Sequence, residues 1–434
     1  MRIVLKIGAF LALGLLLSFA IAQIIIIGPI HLVGAGTITG QGGGGSVGPL
    51  GMLQTSNGSS GFNQSGQCMV NGVQVVCPDK KSRTLYGCPL FGDDTYFNSR
   101  IDSLPADVES AFKTSNMQSL AAGLGRPTYL GPSPEFGINQ ATNSTAAPSI
   151  TWQLSSSFMD SGTYRFTPSF LASSYRFGTP STVASPACVA PSCDAHIIVL
   201  NSDNCMLYEM FQQATTTSPY TIGSGYIWDL SSYKLRNASK IWWYGTDSSG
   251  TTSADVSGAP IWPMILTHDE ICGVGNTILA GTCVSQTVNH TWRIAFETSI
   301  ISSGYQWPAT HDGGTPLANN QVYIGSMFRL PSGYDVTTCH SGSNNGQAYP
   351  SWFKGSVLTT LQHYGLYFAD YGTNGLISSD VNQAWGDTGI SASDNALIAG
   401  WLHCIQLQDL EVVDNTPRVI SGASMQVNNN FVAR

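Results

Sequence analysis

Residues 7–78 of this chain contain no Asp, Glu, Lys or Arg. The surface of a folded domain is normally interspersed with charge, so this stretch cannot be an ordinary domain surface. It divides into pieces. Arg2 and Lys6 precede an apolar run, Ile7 to Ala22, that closes on Ala20-Ile21-Ala22. A basic start, an apolar middle and a small-x-small end are the layout of a secretory signal, expected to occupy residues 1–22 and to meet the membrane only transiently during export. Apolar character continues through Ile24–Ile27 to Val33, giving enough length to span a bilayer, although Gly28-Pro29 interrupts it. A membrane-tethered binding module is therefore a further reading. An uncleaved amino terminus would favour it.

After the signal comes an apolar, β-branched piece, residues 23–34, carrying Ile24, Ile25, Ile26, Ile27, Ile30, Leu32 and Val33. Such a piece favours an extended strand. Residues 35–79 follow, with Gly42–Gly45, and read as a flexible Gly/Ser-rich linker. A tethered strand cannot satisfy its own backbone groups or hide its isoleucines. It must fold back on its own domain, enter a membrane, or add to another molecule's sheet. The last option joins subunits by main-chain hydrogen bonds, and if every subunit donates forward the contact is open and a filament grows.

Charge and cysteine content set the surroundings. Charged residues are 10% of the chain, well below the roughly 25% usual in soluble domains. Acidic residues outnumber basic ones, 26 to 18, so no nucleic-acid partner is expected. Ten cysteines behind a signal peptide point to disulfides: Cys68, Cys77, Cys88, Cys188, Cys193, Cys205, Cys272, Cys283, Cys339 and Cys404. Cys68–Cys77, Cys188–Cys193 and Cys272–Cys283 are plausible local pairs, and Cys339–Cys404 would be long range; sequence alone does not fix the connectivity. Five Asn-x-Ser/Thr sequons, at Asn57, Asn63, Asn143, Asn237 and Asn289, offer sites for covalent glycan. A chain rich in Asn, Ser and Thr also makes sequons by chance.

Residues 80–434 read as one large unit of short β-rich runs between Gly, Pro, Ser and Asn turns: Ser149–Leu154, Thr163–Phe170, His196–Leu200, Cys205–Phe211, Gly225–Leu230, Ile261–Leu266, Thr291–Phe296 and Gln321–Leu330. This density of strands predicts an all-β jelly-roll or β-sandwich core with a few short helices and the extended N-terminal strand. Two helices are expected, over Asp107–Leu120 with Val108, Ala111, Phe112 and Leu120 on one face, and over Gly355–Ala369.

Several phrases occur together in order: Asp194–Leu200, Cys205–Glu209, Gly223–Leu230, Thr252–Asp255 leading to Gly258–Ile261, Asp269-Glu270, Asn289–Phe296, Pro308–His311, Gly325–Leu330 and Tyr364–Asp370. As a set they resemble a widespread family of secreted microbial proteins with a β-rich, jelly-roll-like domain, over roughly Leu85 to Val413. More loosely the chain resembles subunits of sugar-coated extracellular fibrils found in environmental water. The first resemblance implies the β-rich fold and carries no assigned activity.

The polar residues of these phrases are the candidates for chemistry. Glycoside hydrolysis needs two carboxylates flanking the bond. Asp194, Glu209, Asp229, Asp255, Asp269 and Glu270 are available, and with His196, His311 and Arg293 they would make a polar cleft. Asp194 and His196 alternate on a predicted strand and so share a face. The competing reading gives Asp194, Asp229 and Asp255 to turns and strand ends. A metal site from Asp194, His196 and His311 is a weak pattern, no C-x2-C spacing suggests zinc, and no cofactor is expected. Gly223-Ser224-Gly225 is a turn rather than a nucleophile elbow, and Gly42–Gly45 lacks the lysine of a phosphate loop. Trp242-Trp243-Tyr244 could stack on sugar but more simply packs in a core.

The expectation is a secreted glycoprotein subunit, its own partner in a homopolymer, assembled by donation of residues 23–34. The alternative is a secreted carbohydrate-active enzyme using a carboxylate pair, with Asp194, His196, Glu209, Asp255 and His311 as its catalytic set.

Overall fold

The computed structural model describes residues 83–142, 196–211, 226–233, 235, 253–310, 321–381, 385, 393–422 and 424–428, with the backbone alone at 61–62, 68–70, 73–74, 150–152, 212–213 and 220–225. The expected signal and donor strand, the Thr163–Phe170 run and Trp242–Tyr244 lie outside these residues. All described residues belong to the second of two compact units, 57–434, so that unit begins earlier than residue 80. The expected linker, 35–79, contains a small antiparallel meander at its far end, β1 (Gly61–Phe62), β2 (Cys68–Val70) and β3 (Val73–Gln74).

The unit is β-rich with few short helices. After a two-stranded ribbon, β4 (Thr84–Leu85) with β5 (Cys88–Pro89), come β6 (Gly131–Phe136), β7 (Ile138–Ala141), β8 (Ile150–Trp152), β9 (His196–Asn201), β10 (Met206–Gln213), β11 (Tyr220–Asp229), β12 (Trp292–Phe296), β13 (Met327–Arg329), β14 (Leu366–Tyr371), β15 (Leu376–Asp380) and β16 (Glu411–Val413). Two larger sheets form, in the orders β7-β9-β10-β11-β8 and β16-β13-β14-β12-β15-β6. Pairing is mixed: β7–β9, β8–β11, β12–β14 and β6–β15 are parallel.

Alternation along the six-stranded sheet assigns its two faces. Trp292, Ile294, Phe296, Leu366, Phe368, Phe328, Ile377 and Val412 enter one apolar cluster, shared with Met117 and Ala121 of α1 (Ser110–Gly123) and Ile398 and Leu402 of the helix Asp394–Leu402. Met327, Tyr367, Ala369 and Val413 enter a second cluster, where they meet Ile198, Leu200, Leu207, Tyr226 and Trp228 of the five-stranded sheet. The layers are therefore sheet, sheet and helices. Gly137 alone separates β6 from β7, so the chain steps from the edge of one sheet to the edge of the other.

Among the described residues, three disulfides staple the unit. Cys272–Cys283 and Cys339–Cys404 form as expected, and Cys88–Cys205 ties β5 to the β9–β10 turn. Pairings of Cys68, Cys77, Cys188 and Cys193 lie outside the described residues.

Several local expectations change. α1 starts at Ser110, and its expected apolar face is wrong: Val108 and Phe112 are exposed, whereas Ser110, Lys113, Thr114, Met117 and Ala121 are buried. Polar contacts set that face. The Ser110 hydroxyl accepts from Val412 N at 2.7 Å, and Lys113 Nζ reaches Asp107 at 2.8 Å. The helix expected over Gly355–Ala369 is a π-helical segment, Phe353–Leu358, continuing as α-helix to His363. Gly365 then turns with φ +67°, and a Cβ there would stand 2.0 Å from Phe328 O. Leu366–Ala369 is strand. Ile261–Leu266 is no strand either, but a 3₁₀ turn at Trp262–Met264 with Pro263 in its first positions. Only Met327–Arg329 of the run Gln321–Leu330 is strand.

Candidate functional site

Arg293 interrupts an otherwise apolar strand, Trp292-Arg293-Ile294-Ala295-Phe296, and is 1% exposed. A guanidinium in that position must be matched by carboxylates and hydrogen bonds. Asp255 supplies the main match: Nε donates to Oδ2 at 3.0 Å and Nη2 to Oδ1 at 3.1 Å, a bidentate pair. Nη2 also donates to Asp370 and Nη1 to the Ser378 hydroxyl, while Glu135 lies 3.6 Å from Nη1. Ser378 Oγ in turn donates to Glu135 Oε1 at 2.6 Å. The Phe136 ring lies 5.0 Å from the guanidinium carbon. Burial works against the charge on Arg293, but Asp255, Asp370 and Glu135 outweigh it and hold the group firmly cationic.

A bulge makes this convergence possible. β12 and β14 shift register between Ile294 and Ala295, so that Ala295 faces Asp370 instead of Ala369. One extra residue in β14 brings Asp370 onto the face of Arg293 instead of the face of Phe368.

Glu209 lies deeper, fully buried on β10. Its Oε1 accepts from the backbone N–H of Ile261 at 2.8 Å and of Trp262 at 3.0 Å, and its Oε2 from Trp228 Nε1 at 3.0 Å. The carboxylate thus caps the start of the 3₁₀ turn, which explains why Ile261–Leu266 departs from strand. Burial pushes Glu209 up to about 7 against the pull of these three donors.

Three members of the expected catalytic set, His196, Glu209 and Asp255, lie among the described residues, and all three are buried. Asp194 and His311 lie outside the described residues. His196 is buried between the rings of Phe136, 5.2 Å away, and Phe211, 4.9 Å away. Glu209 and Asp255 are at most 1% exposed, their oxygens turned onto internal donors. Asp229 binds the N–H and hydroxyl of Ser231 in an exposed turn, as the turn-capping reading holds. Glu135 escaped sequence reasoning, although an arginine inside an apolar strand was the signal to look for more carboxylates.

Two further networks bury carboxylates, Glu270 in one and Asp380 and Asp394 in the other, whereas the Asp269 side chain is half-exposed, 3.7 Å from His268 Nδ1. Glu270 Oε1 accepts from Thr267 N and Trp292 Nε1, both at 3.0 Å, closing a capping box, and its Oε2 meets His290 Nε2 at 3.0 Å. Burial opposes the charge on Glu270, yet His290 and Arg83 hold it below the usual range. His268 Nε2 meets Asp394 at 2.8 Å, and Asp394 also accepts from Ile278 N and Leu279 N at 2.6 Å. Asp380 accepts from Trp385 Nε1 at 2.7 Å and His268 N at 3.1 Å, and burial pushes it up to about 7.

Of the sequons, Asn289 alone lies within the described residues. Its side-chain oxygen accepts from Tyr364 OH at 3.3 Å, and Thr291 is fully buried. Among the described residues no three His, Cys, Asp or Glu come together to hold a metal ion, and no helix is long and apolar enough to cross a membrane. No family model, curated protein or solved structure matches the chain.

Proposed function

We propose that the chain is a secreted glycoprotein subunit that builds an extracellular filament by donating residues 23–34 into a neighbouring subunit. The observation that carries this reading is the fate of the carboxylates. Glu209 and Asp255, the described acidic members of the expected catalytic set, hold up a turn and neutralise a buried arginine. That use favours a load-bearing body over a hydrolase. Three disulfides suit an oxidising compartment such as the cell exterior. The isoleucine-rich segment behind the signal needs a sheet to join, and the Gly-rich stretch after it gives the reach.

In this reading the two facing sheets are the jelly-roll-like body, with parallel pairings that a strict antiparallel jelly roll lacks. The resemblance of the ordered phrases from Asp194 to Asp370 to a secreted β-rich family supports this reading. Its partners are further copies of itself and covalent glycan. Asn289 is a poor sequon for a fold-first route, because its amide and Thr291 are already engaged.

Negative-stain microscopy of the secreted full-length protein, beside a variant lacking residues 23–34, tests the proposal. Filaments from the first and soluble monomers from the second are expected. Filaments surviving the deletion would reject strand donation.

A further inference from the structure

A donated strand needs an edge, and the six-stranded sheet offers none. At β16 the one outward residue is already used: Val412 N donates to Ser110 Oγ and Val412 O accepts from Asp107 N at 2.8 Å. At β6, Gly131 N donates to Gly375 O, so alternation turns Gly131 and Ser133 toward β15 and residues 132 and 134 outward, before a register shift brings Phe136, whose carbonyl accepts from Val381 N, onto β15. Those two residues are Pro132 and Pro134, which have no N–H to give. Proline on an outward position is a known device against edge-to-edge pairing.

β7, one residue further along, has the opposite character. Ala141 O accepts from Ser202 N, and Ala141 pairs with Asn201, so Asn139 and Ala141 face β9 while Ile138 and Gln140 turn their backbone groups outward. No proline occurs in Ile138–Ala141. The side chains of Asn139 and Gln140 reach back to Ile198 O and Ser202 Oγ, and so do not cover the edge.

We propose that the edge of β7, Ile138–Ala141, left unpaired among the described residues, is the acceptor for the isoleucine-rich segment Ile24–Val33 of a second copy of this chain. The inference rests on the strand-donation reading and names its receiving site. The occupant is argued from its pattern. Ile24–Ile27 is apolar at every position, which suits a strand covered on both faces and not one with a wet side. β9, the strand next to β7, is buried at all six of its positions, so both faces of this sheet are covered there. Ile138 packs against the apolar cluster between the sheets, which extends the greasy surface to the edge itself. The proline-blocked edge of β6 beside the open edge of β7 directs addition to one of the two.

Amide hydrogen exchange on the full-length protein, as dissociated monomer and as assembled filament, reads the edge directly. The N–H groups of Ile138 and Gln140 should exchange at least about a hundredfold more slowly in the filament. A second test introduces proline where the native chain turns an N–H outward: Gln140→Pro should keep the monomer's melting midpoint and abolish filaments. Filaments of normal length from Gln140→Pro, or unprotected amides at 138 and 140 in the filament, would overturn the β7 assignment while leaving strand donation standing. Filaments that persist without residues 23–34 would instead overturn the underlying reading. If Gln140→Pro fails to fold, the exchange measurement decides alone.

Discussion

The carboxylates of Glu209 and Asp380 are buried among N–H donors and pushed up to about 7, from ordinary values of 4.5 and 3.8. The folded chain therefore holds protons that the unfolded chain has released between those values. Their stabilising contribution is complete below about pH 4 and is lost as pH rises through about 7. Glu270, held low, acts in the opposite sense: its contribution is present above 4.5 and is lost on acidification. Glu209→Gln should therefore flatten the fall of melting temperature between pH 4.5 and 7, and an unchanged slope would show that Glu209 does not titrate there. At fixed pH the same change leaves one donor facing a donor, at a cost of about 1–3 kcal/mol. Arg293→Met strands Asp255 without its cation and should cost about 3–5 kcal/mol in denaturant unfolding. Replacing Asp255 by Leu as well should recover part of that loss. A double variant less stable than Arg293→Met alone would contradict the pairing.

At the scale of elements, short strands were legible because apolar and β-branched runs ended in turn residues, and β9, β10 and β12 fall close to where their sequences put them. What misled was contact at a distance. Ile261–Leu266 has strand composition, but the Glu209 carboxylate takes its first two N–H groups and winds them into a 3₁₀ turn. Val108 and Phe112 look like a buried stripe, but Ser110 is drawn inward to satisfy Val412 N. Helical spacing over Gly355–Ala369 runs through a glycine that breaks it, and beyond Gly365 the same apolar residues serve a strand. Gly365→Ala should cost about 1 kcal/mol or more, since φ +67° is unfavourable with a Cβ and Phe328 O stands in its place. A variant as stable as the parent would mean the turn relaxes freely. The disulfide Cys88–Cys205 closes a span of 117 residues. Replacing both cysteines by serine should lower stability by about 2–5 kcal/mol, measured by chemical denaturation under non-reducing conditions.

For the whole molecule, the lack of charge between Lys6 and Asp79 and the strand-rich body were both visible in the sequence, but not which sheet edges stay open. That depends on parity: Pro132 and Pro134 block an edge only because Gly131 pairs inward, and one residue of slip would turn them toward β15. The arrangement gives a body with buried ion networks, three disulfides among the described residues and, in this reading, the β7 edge for a partner. The most direct test of the central claim mixes two isotopically labelled populations of the protein, each with a photo-crosslinking residue at Ile26, and lets them assemble together. Strand donation predicts crosslinked peptides that join a light residue 26 to a heavy body and the reverse. Crosslinks only within one label would show that the isoleucine segment stays with its own molecule, and the filament account would fail.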